Sequence, residues 1–323
     1  MCIRDRHKEA GVPWLLVGAP EADTRQPGVH KGGAVYKCSA SRPGDCSLIP
    51  FDTKGPTMAP TGQQYDSKSG QWLGSTIDSS GEDGTILACA PRYIYYMFMN
   101  RRDPVGVCHI ARRNSRTRQY TFKKFRPCVE SGKWGYHRQG NCQAGLGASV
   151  AHNGEQLFIG AVGSWYWQGQ VFSFNFRRPS KQSLTQEGSP KDDDSYLGYS
   201  TTTGEFNGDG DRLDVAVGMP RGANLTGKVV LYNANLTNLN NVTGDQIGAY
   251  FGYSLASCDV NGDGLDDLAI GSPMWTDYSI EDRFETGRVY VVYQDKQNRF
   301  RTIDTLTGET HKARFGISVA SLG

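Results

Sequence analysis

Five times along the chain an apolar strand runs into a small-residue turn, and this recurrence restricts the fold more than any other feature. The copies are Leu15–Pro20, Ile86–Pro91, Leu157–Val162, Val215–Pro220 and Leu268–Pro273. From Gly18 through Cys89, Gly160, Gly218 and Gly271 the spacings are 71, 71, 58 and 53 residues. A second signature precedes the later copies: Trp72-Leu73-Gly74, Gly147-Ala148-Ser149, Leu197-Gly198-Tyr199-Ser200 and Phe251-Gly252-Tyr253-Ser254. Phe315-Gly316-Ile317-Ser318 opens a sixth. A glycine and another strand follow each apolar run, at Gly33, Gly106, Gly169, Gly227 and Gly287. Each unit therefore supplies at least three strands, with room for a fourth. No such sheet covers both of its own faces, so neighbours must pack face to face. A β-sandwich is the competing all-β architecture, but it has no need of the same turn in every unit.

Composition agrees. There are 40 glycines in 323 residues and 35 aromatics (16 Tyr, 13 Phe, 6 Trp), against a usual glycine share of about 7%. Short strands joined by tight turns fit this, and a helix bundle does not. A net charge of +2 does not mark a nucleic-acid binder. No stretch reaches the roughly 18 consecutive apolar residues of a membrane-spanning helix. Met1 to Arg6 has no apolar core and reads as a non-native leader rather than a secretion signal. Residues 7–323 then form one incomplete domain that stops inside its sixth repeat.

Eight cysteines include three local pairs, Cys38 with Cys46, Cys89 with Cys108 and Cys128 with Cys142, leaving Cys2 and Cys258 without obvious partners. None forms a CxxC, so zinc and redox chemistry are poorly supported. Three sequons fall close together at Asn224, Asn235 and Asn241. With the cysteine pairs they favour an extracellular setting.

The fourth and fifth units are lengthened by acidic inserts. One runs from Glu205 through Asn207, Asp209 and Asp211 to Asp214, the other from Asp259 through Asn261, Asp263 and Leu265 to Asp267. Side-chain oxygens at positions 1, 3 and 5, a carbonyl at 7 and a carboxylate at 9 can surround one hard cation such as Ca2+, with glycine at 6 for the turn. A helix–loop–helix site would need Glu at position 12. Those positions are Ala216 and Ile270, so the loops belong to β-hairpins. The Asp259 loop fits better. The Glu205 loop must absorb one extra residue, and Asp211 can replace a backbone ligand there. A metal-free Asp/Asn/Gly turn is the alternative for both.

Phe-Gly and Gly-Ala-Pro signatures around an Asp-x-Asn-Gly-Asp-Gly loop resemble the FG-GAP repeats of integrin alpha subunits, from about Trp14 onward. The resemblance implies an all-β, seven-bladed β-propeller, represented here by about five and a half blades. It implies calcium in the two loops, an integrin beta subunit as partner, and a cell-surface receptor anchored by a membrane span further along. Trp165 to Gln170 and Asp193 to Ser200 are similar to the subclass that recognises Arg-Gly-Asp ligands in matrix proteins. The connection from Gly106 to Gly147 is too short to hold an inserted ligand-binding domain. By this resemblance Asp193 takes the ligand's arginine and Tyr166 walls the same groove. His137 stands where some members carry a second acid. Trp72, Tyr199 and Tyr253 correspond to an aromatic cage for a basic side chain of the beta subunit, with Leu146 replacing one aromatic.

Two other readings compete. A secreted propeller enzyme of phospholipase type would need a nucleophile, yet the Ser149 and Ser254 contexts end in Ala rather than completing Gly-x-Ser-x-Gly, and the six histidines are scattered. No catalytic residue is assigned. A heparan-sulfate-binding module would use Arg112, Arg113, Arg116, Arg118, Lys123, Lys124 and Arg126, a run without acids. A solvated hairpin is the favoured reading of that run, because the rest of the chain is charge-balanced.

Overall fold

The structure is a computed structural model. It describes all residues except 1, 98–100, 115, 134, 179–181, 282 and 322–323, and all side chains except those of these residues and of residues 2–6. The chain divides into two compact units: Met1–Val150 with Gly163–Tyr166, and Ala151–Val162 with Trp167–Gly323.

Five sheets are four-stranded antiparallel meanders, the blade of a propeller, and the class is all-β as the repeats predict. The first contains Cys2–Glu9, Val12–Ala19, Ala34–Ser39 and Cys46–Leu48. The second contains Thr76–Ser79, Thr85–Ala90, Val107–Arg113 and Tyr120–Phe125. The third is ordered Ala148–Val150, Gln156–Gly160, Val171–Asn175, Gln182–Leu184. The fourth contains Thr201–Gly204, Asp214–Met219, Lys228–Tyr232 and Asn238–Thr243. The fifth contains Ser254–Cys258, Asp267–Ser272, Arg288–Gln294 and Phe300–Thr307. Residues 2–9, which take in all but the first residue of the stretch to Arg6 read from sequence as a leader, pair with 12–19 as the outer strand of the first sheet. A short sheet of Asp66–Ser67, Ile94–Met97 and Arg101–Pro104 has no counterpart in the repeat pattern.

Strand alternation explains the packing in the second unit. Val215 and Val217 join Phe158, Val171 and Leu197 in one cluster, while Ala216 joins Leu255, Leu268 and Ile270 in another. Val230 and its neighbours Val229 and Leu231 divide in the same way. Successive side chains point to opposite faces, so a strand covered on both sides reads as a continuous apolar run. Each fully buried Val or Leu contributes about 1.5–3 kcal/mol.

A repeated glycine contact spaces the sheets. The glycine in each second strand meets the glycine that opens the next sheet: Gly18 with Gly74, Gly160 with Gly198, Gly218 with Gly252 and Gly271 with Gly316. A Cβ on any of the first four would overlap the carbonyl oxygen of its partner. Cys89 fills this place in the second sheet, where the Cys89–Cys108 disulfide packs against Gly145. The bridges Gly33–Leu73, Gly106–Ala144, Gly169–Leu197, Gly227–Phe251 and Gly287–Phe315 set the common register.

That register corrects the alignment of the second signature. The opening glycine of the third sheet is Gly145, at φ 97°, matching Gly74, Gly198 and Gly252 at 91°, 98° and 89°; it is not Gly147. Two residues before each lie Trp72, Gln143, Tyr196, Tyr250 and Arg314, all at positive φ. Trp72 is thus equivalent to Tyr196 and Tyr250. Ser75 holds the place taken by Leu146, Tyr199 and Tyr253 in later sheets.

Gly218→Ala should lower unfolding free energy by at least about 2 kcal/mol, because rigid backbone faces the new methyl. Gly44→Ala, at φ 82° with open space around it, should cost only about 1 kcal/mol. Equal costs in chemical denaturation would show that the inter-sheet contact does not limit packing.

Candidate functional site

The two acidic loops are the first hairpins of the fourth and fifth sheets, and they repeat one hydrogen-bonding plan. At position 1, Glu205 accepts the N–H groups of Gly208 (2.7 Å) and Arg212 (3.0 Å), while Asp259 accepts those of Gly262 (2.7 Å) and Gly264 (2.8 Å). Asn207 and Asn261 each accept the N–H two residues on, from Asp209 and Asp263. At the far end Asp214 accepts the Phe206 N–H at 2.8 Å, and Asp267 accepts that of Val260 at 3.0 Å. The longer Glu205 side chain reaches Arg212, which accommodates the extra residue of the first loop.

Three carboxylates converge in that loop. Ligand oxygens of Glu205, Asp209 and Asp211 lie within 4.8 Å of one another, the one such acidic group among the described residues. Asn207 donates to Asp209 (2.9 Å) and Asp214 (3.1 Å), tying the set together. In the second loop Asn261 donates to Asp263 at 3.1 Å, so these side chains are held together. All these donors are hard oxygens or can turn one inward, which suits a divalent cation of the calcium type rather than zinc.

Sequence reasoning missed the residues that couple the loops. Asp266, buried in the second loop, accepts the Glu205 N–H at 2.9 Å and the Arg212 guanidinium at 3.1 Å. Asn298 donates to the Asn207 carbonyl at 2.8 Å. The Asp-Asp step at 266–267 was a visible signal, but spacing did not show that its two carboxylates serve different loops.

The second unit's sheets separate their ends. In a meander the first and third hairpins share one end, and the middle turn and the connection to the next sheet share the other. The acidic loops occupy the first end. Asp193 lies on the connection from the third sheet to the fourth, at the opposite end. It follows a short 3-10 turn, Pro190–Asp192, capped by Ser189. Asp193 is exposed, and its Oδ1 accepts the Gln168 amide at 2.7 Å. Gln168, itself buried, also donates to the Ser189 carbonyl and accepts the Gly188 N–H. Gln168 therefore fixes the carboxylate, a role that sequence alone did not reveal. Oδ2 has no donor among the described residues.

Tyr166 belongs to the other unit. It sits in a left-handed stretch, Trp165, Tyr166 and Trp167 at φ 51°, 55° and 59°, and is 46% exposed. Its ring stacks on His137 at 4.9 Å and 6°, and its N–H donates to the His137 carbonyl. Tyr136 meets the same imidazole edge-on at 4.9 Å. The two sequence-selected ligand residues are thus held by separate local devices.

Of the aromatic set, Tyr199 and Tyr253 meet at 5.2 Å, and Tyr250, absent from the sequence reading, joins both at 6.4 and 6.5 Å. Burial, then the neighbouring Tyr253, raise the Tyr199 hydroxyl above the ordinary tyrosine range. Trp72 instead carries the Arg92 guanidinium over its ring at 4.6 Å. Leu146 is half-buried, and its carbonyl accepts the Thr76 hydroxyl.

The basic run is partly neutralised within the protein. Arg113 and Lys37 bind the buried Glu9 carboxylate at 2.9 and 2.6 Å, and the Tyr120 hydroxyl donates to it. Burial opposes charge on Glu9, yet the bonds from His7, Lys37 and Tyr120 hold its pKa down at about 2. Lys124 stands 3.9 Å from buried Asp66, over the Tyr93 ring. Arg116 and Arg118 at the hairpin tip are exposed.

Cys38–Cys46, Cys89–Cys108 and Cys128–Cys142 are disulfides, and Cys258 is a free thiol. Asn224, Asn235 and Asn241 are all exposed.

Repeated blades with oxygen-lined first hairpins define an FG-GAP repeat protein, and the FG-GAP repeat family model matches residues 251–292. The chain is 44% identical to integrin alpha-PS2 of Drosophila melanogaster over 96% of its length and 24% of the relative's. It is 40% identical to integrin alpha-5 of Xenopus laevis and 38% to integrin alpha-8 of Homo sapiens, again over 96% of this chain, but over 31% and 30% of theirs. The chain belongs to the integrin alpha family, in its N-terminal FG-GAP propeller region. It spans about a quarter to a third of the length of these relatives.

Burial, then the charges of Glu205, Asp209 and Asp211, push the Asp214 carboxyl up to about 7 from an ordinary 3.8. The native state then holds this proton more tightly than the unfolded chain between those values. With chelator present, the group's contribution to stability should fall as pH rises across that window, by up to about 1.4 kcal/mol per unit. Asp214→Asn should remove that component; an identical slope in the variant would overturn it.

Proposed function

We propose that this chain is the ligand-recognising head of an adhesion-receptor alpha subunit, working only as a heterodimer with an integrin beta subunit. Its ligand is an extracellular-matrix protein presenting Arg-Gly-Asp. The observation that carries this reading is the Asp193 carboxylate, exposed and oriented by buried Gln168 at the end of the sheets opposite the acidic loops. A carboxylate fixed through one oxygen retains acceptor capacity for a guanidinium, in charge-assisted hydrogen bonds. In the other unit, Tyr166 stacked on His137 presents an exposed aromatic ring. The ligand's own aspartate is left to the beta subunit.

Ca2+ is the proposed resident ion, held by Glu205, Asn207, Asp209, Asp211 and Asp214 in one loop and by Asp259, Asn261, Asp263, Leu265 and Asp267 in the other. Bound there, it neutralises crowded carboxylates and stiffens the hairpins. The loops lie away from Asp193, so the ion supports the head without touching ligand. Tyr199, Tyr253 and Tyr250 offer ring faces to a basic side chain of the beta subunit; Leu146 shares the register position of Tyr199 and Tyr253, and Trp72 that of Tyr250. The receptor is placed at the cell surface by a membrane span outside this chain. A hydrolase reading has less support: the Ser200 and Ser254 hydroxyls donate to the Gly252 and Gly316 carbonyls at 2.7 Å, a structural duty repeated by blade.

In the assembled heterodimer, Asp193→Ala should weaken Arg-Gly-Asp peptide binding about 10- to 100-fold, with surface expression and subunit pairing unchanged. Wild-type affinity in a binding titration would reject the assignment. Chelation should lower the ectodomain's melting temperature by about 5–10 °C, recovered by Ca2+ but not by Mg2+ at equal concentration. An unchanged melting curve would remove the metal from the scheme.

A further inference from the structure

The three sequons are not equivalent in space. Asn235 lies between Lys228–Tyr232 and Asn238–Thr243, in the hairpin at the acidic-loop end of the fourth sheet, and Asn241 lies in its outer strand. Asn224 alone lies in the middle turn, at the same end as Asp193. Backbone geometry fixes how it is displayed. Ala223, Asn224 and Leu225 stand at φ 51°, 55° and 69°, three consecutive left-handed residues. Such a run is strained for non-glycine residues, whose Cβ crowds the following carbonyl, so it persists only where surrounding bonds define it.

Those bonds are present. The Thr226 hydroxyl donates to the Ala223 carbonyl at 2.8 Å, and the Gly248 N–H donates to the Leu225 carbonyl at 2.9 Å. At the start of the turn, the Arg221 N–H donates to the Ser195 carbonyl at 3.3 Å, and its guanidinium bonds the Tyr196 hydroxyl at 3.0 Å. Asn224 is therefore three residues along the chain from a residue bonded to the segment that carries Asp193. Chain length alone keeps the two within about 25 Å. Asn224 and Leu225 are both exposed, and three disulfides place the chain in a compartment where sequons are modified.

We propose that Asn224 carries an N-linked glycan that acts as a size filter at the Asp193 face. It leaves short peptides free to reach the carboxylate and hinders large matrix ligands. The glycans at Asn235 and Asn241 project elsewhere and have no such effect. This inference rests on the proposed Asp193 function.

The test uses the full alpha chain with its beta partner, secreted as an ectodomain from cells that glycosylate. Asn224→Asp and Thr226→Ala both destroy the sequon, whereas Thr226→Ser keeps both sequon and hydroxyl. Glycopeptide mass spectrometry reads occupancy; titrations use a short Arg-Gly-Asp peptide and an intact matrix protein containing that motif. Both sequon-destroying variants should bind the intact protein at least threefold more tightly with peptide affinity unchanged. Thr226→Ser, Asn235→Gln and Asn241→Gln should match wild type. An unmodified Asn224, or equal affinity of glycosylated and sequon-destroyed forms for the intact protein, would overturn the filter. If wild type binds neither probe, the Asp193 reading fails and the filter falls with it. Enzymatic deglycosylation of folded wild type supplies the same comparison if a variant folds poorly.

Discussion

Glycine-to-glycine contact between successive sheets is the constraint from which the rest of the structure follows. Where Gly218 meets Gly252, backbone lies directly on backbone, and no side chain fits between. Apolar side chains elsewhere fill the space between the fourth and fifth sheets, among them Leu231 and Leu268 in their strands and Phe206 and Phe251 in the adjoining loops. A sheet pinned closely at one place and spread by bulky residues elsewhere becomes a wedge. The Ser200 and Ser254 hydroxyls add a directional bond to the same carbonyls, fixing rotation as well as distance.

Once the sheets are pinned in this way, their two ends are free for different work. The acidic loops replace ordinary turns in the first hairpins of the fourth and fifth sheets, and Asp266 locks one loop to the other. Carboxylates gathered at one hairpin repel, and burial, with that repulsion added, raises the Asp214 carboxyl. The Ca2+ proposed for this loop would relieve that repulsion. At the opposite end the demands are milder: Asp193 needs a single buried amide to hold it, since an exposed carboxylate is solvated on its other side. The crowded loop carboxylates and the solvated Asp193 are thereby the same residue type in different surroundings, with burial and crowding setting the difference.

Much of this was legible in the sequence because it depends on composition at fixed spacing. The five second strands, the strand-opening glycines, the three local cysteine pairs and the loop carboxylates could all be read directly. Register at Gly145 could not. Gly145-Leu146-Gly147 offers two glycines two residues apart, and only the positive φ of Gly145 decides between them. The same error placed Trp72 with Tyr199 and Tyr253, because an aromatic near a glycine looks alike whether it precedes or follows it. Gln168 and Asp266 were invisible for another reason: their roles arise from hydrogen bonds over 25 and 54 or more residues, which local spacing does not encode. The short sheet at residues 66–104 was missed because it belongs to no repeat.

The register also explains how one repeat supports different surfaces. Trp72, Gln143, Tyr196, Tyr250 and Arg314 share one left-handed position, yet they have little chemistry in common. Each costs about 1–2 kcal/mol as a non-glycine residue in that conformation. Backbone bonds around the neighbouring bridge define that conformation, as the Gly74, Gly198 and Gly252 N–H groups do in bonding the carbonyls of Cys89, Gly218 and Gly271. Because backbone rather than side chain carries the constraint, the side chain at that position is released from a packing duty. In the second sheet's connection it stacks under Arg92, in the fourth it bonds Arg221, and in the fifth it joins Tyr199 and Tyr253. A frame held by main-chain contacts leaves its loop residues free to diverge, and that freedom is what lets one blade type carry an exposed, amide-held carboxylate in one connection and an aromatic cluster in the next.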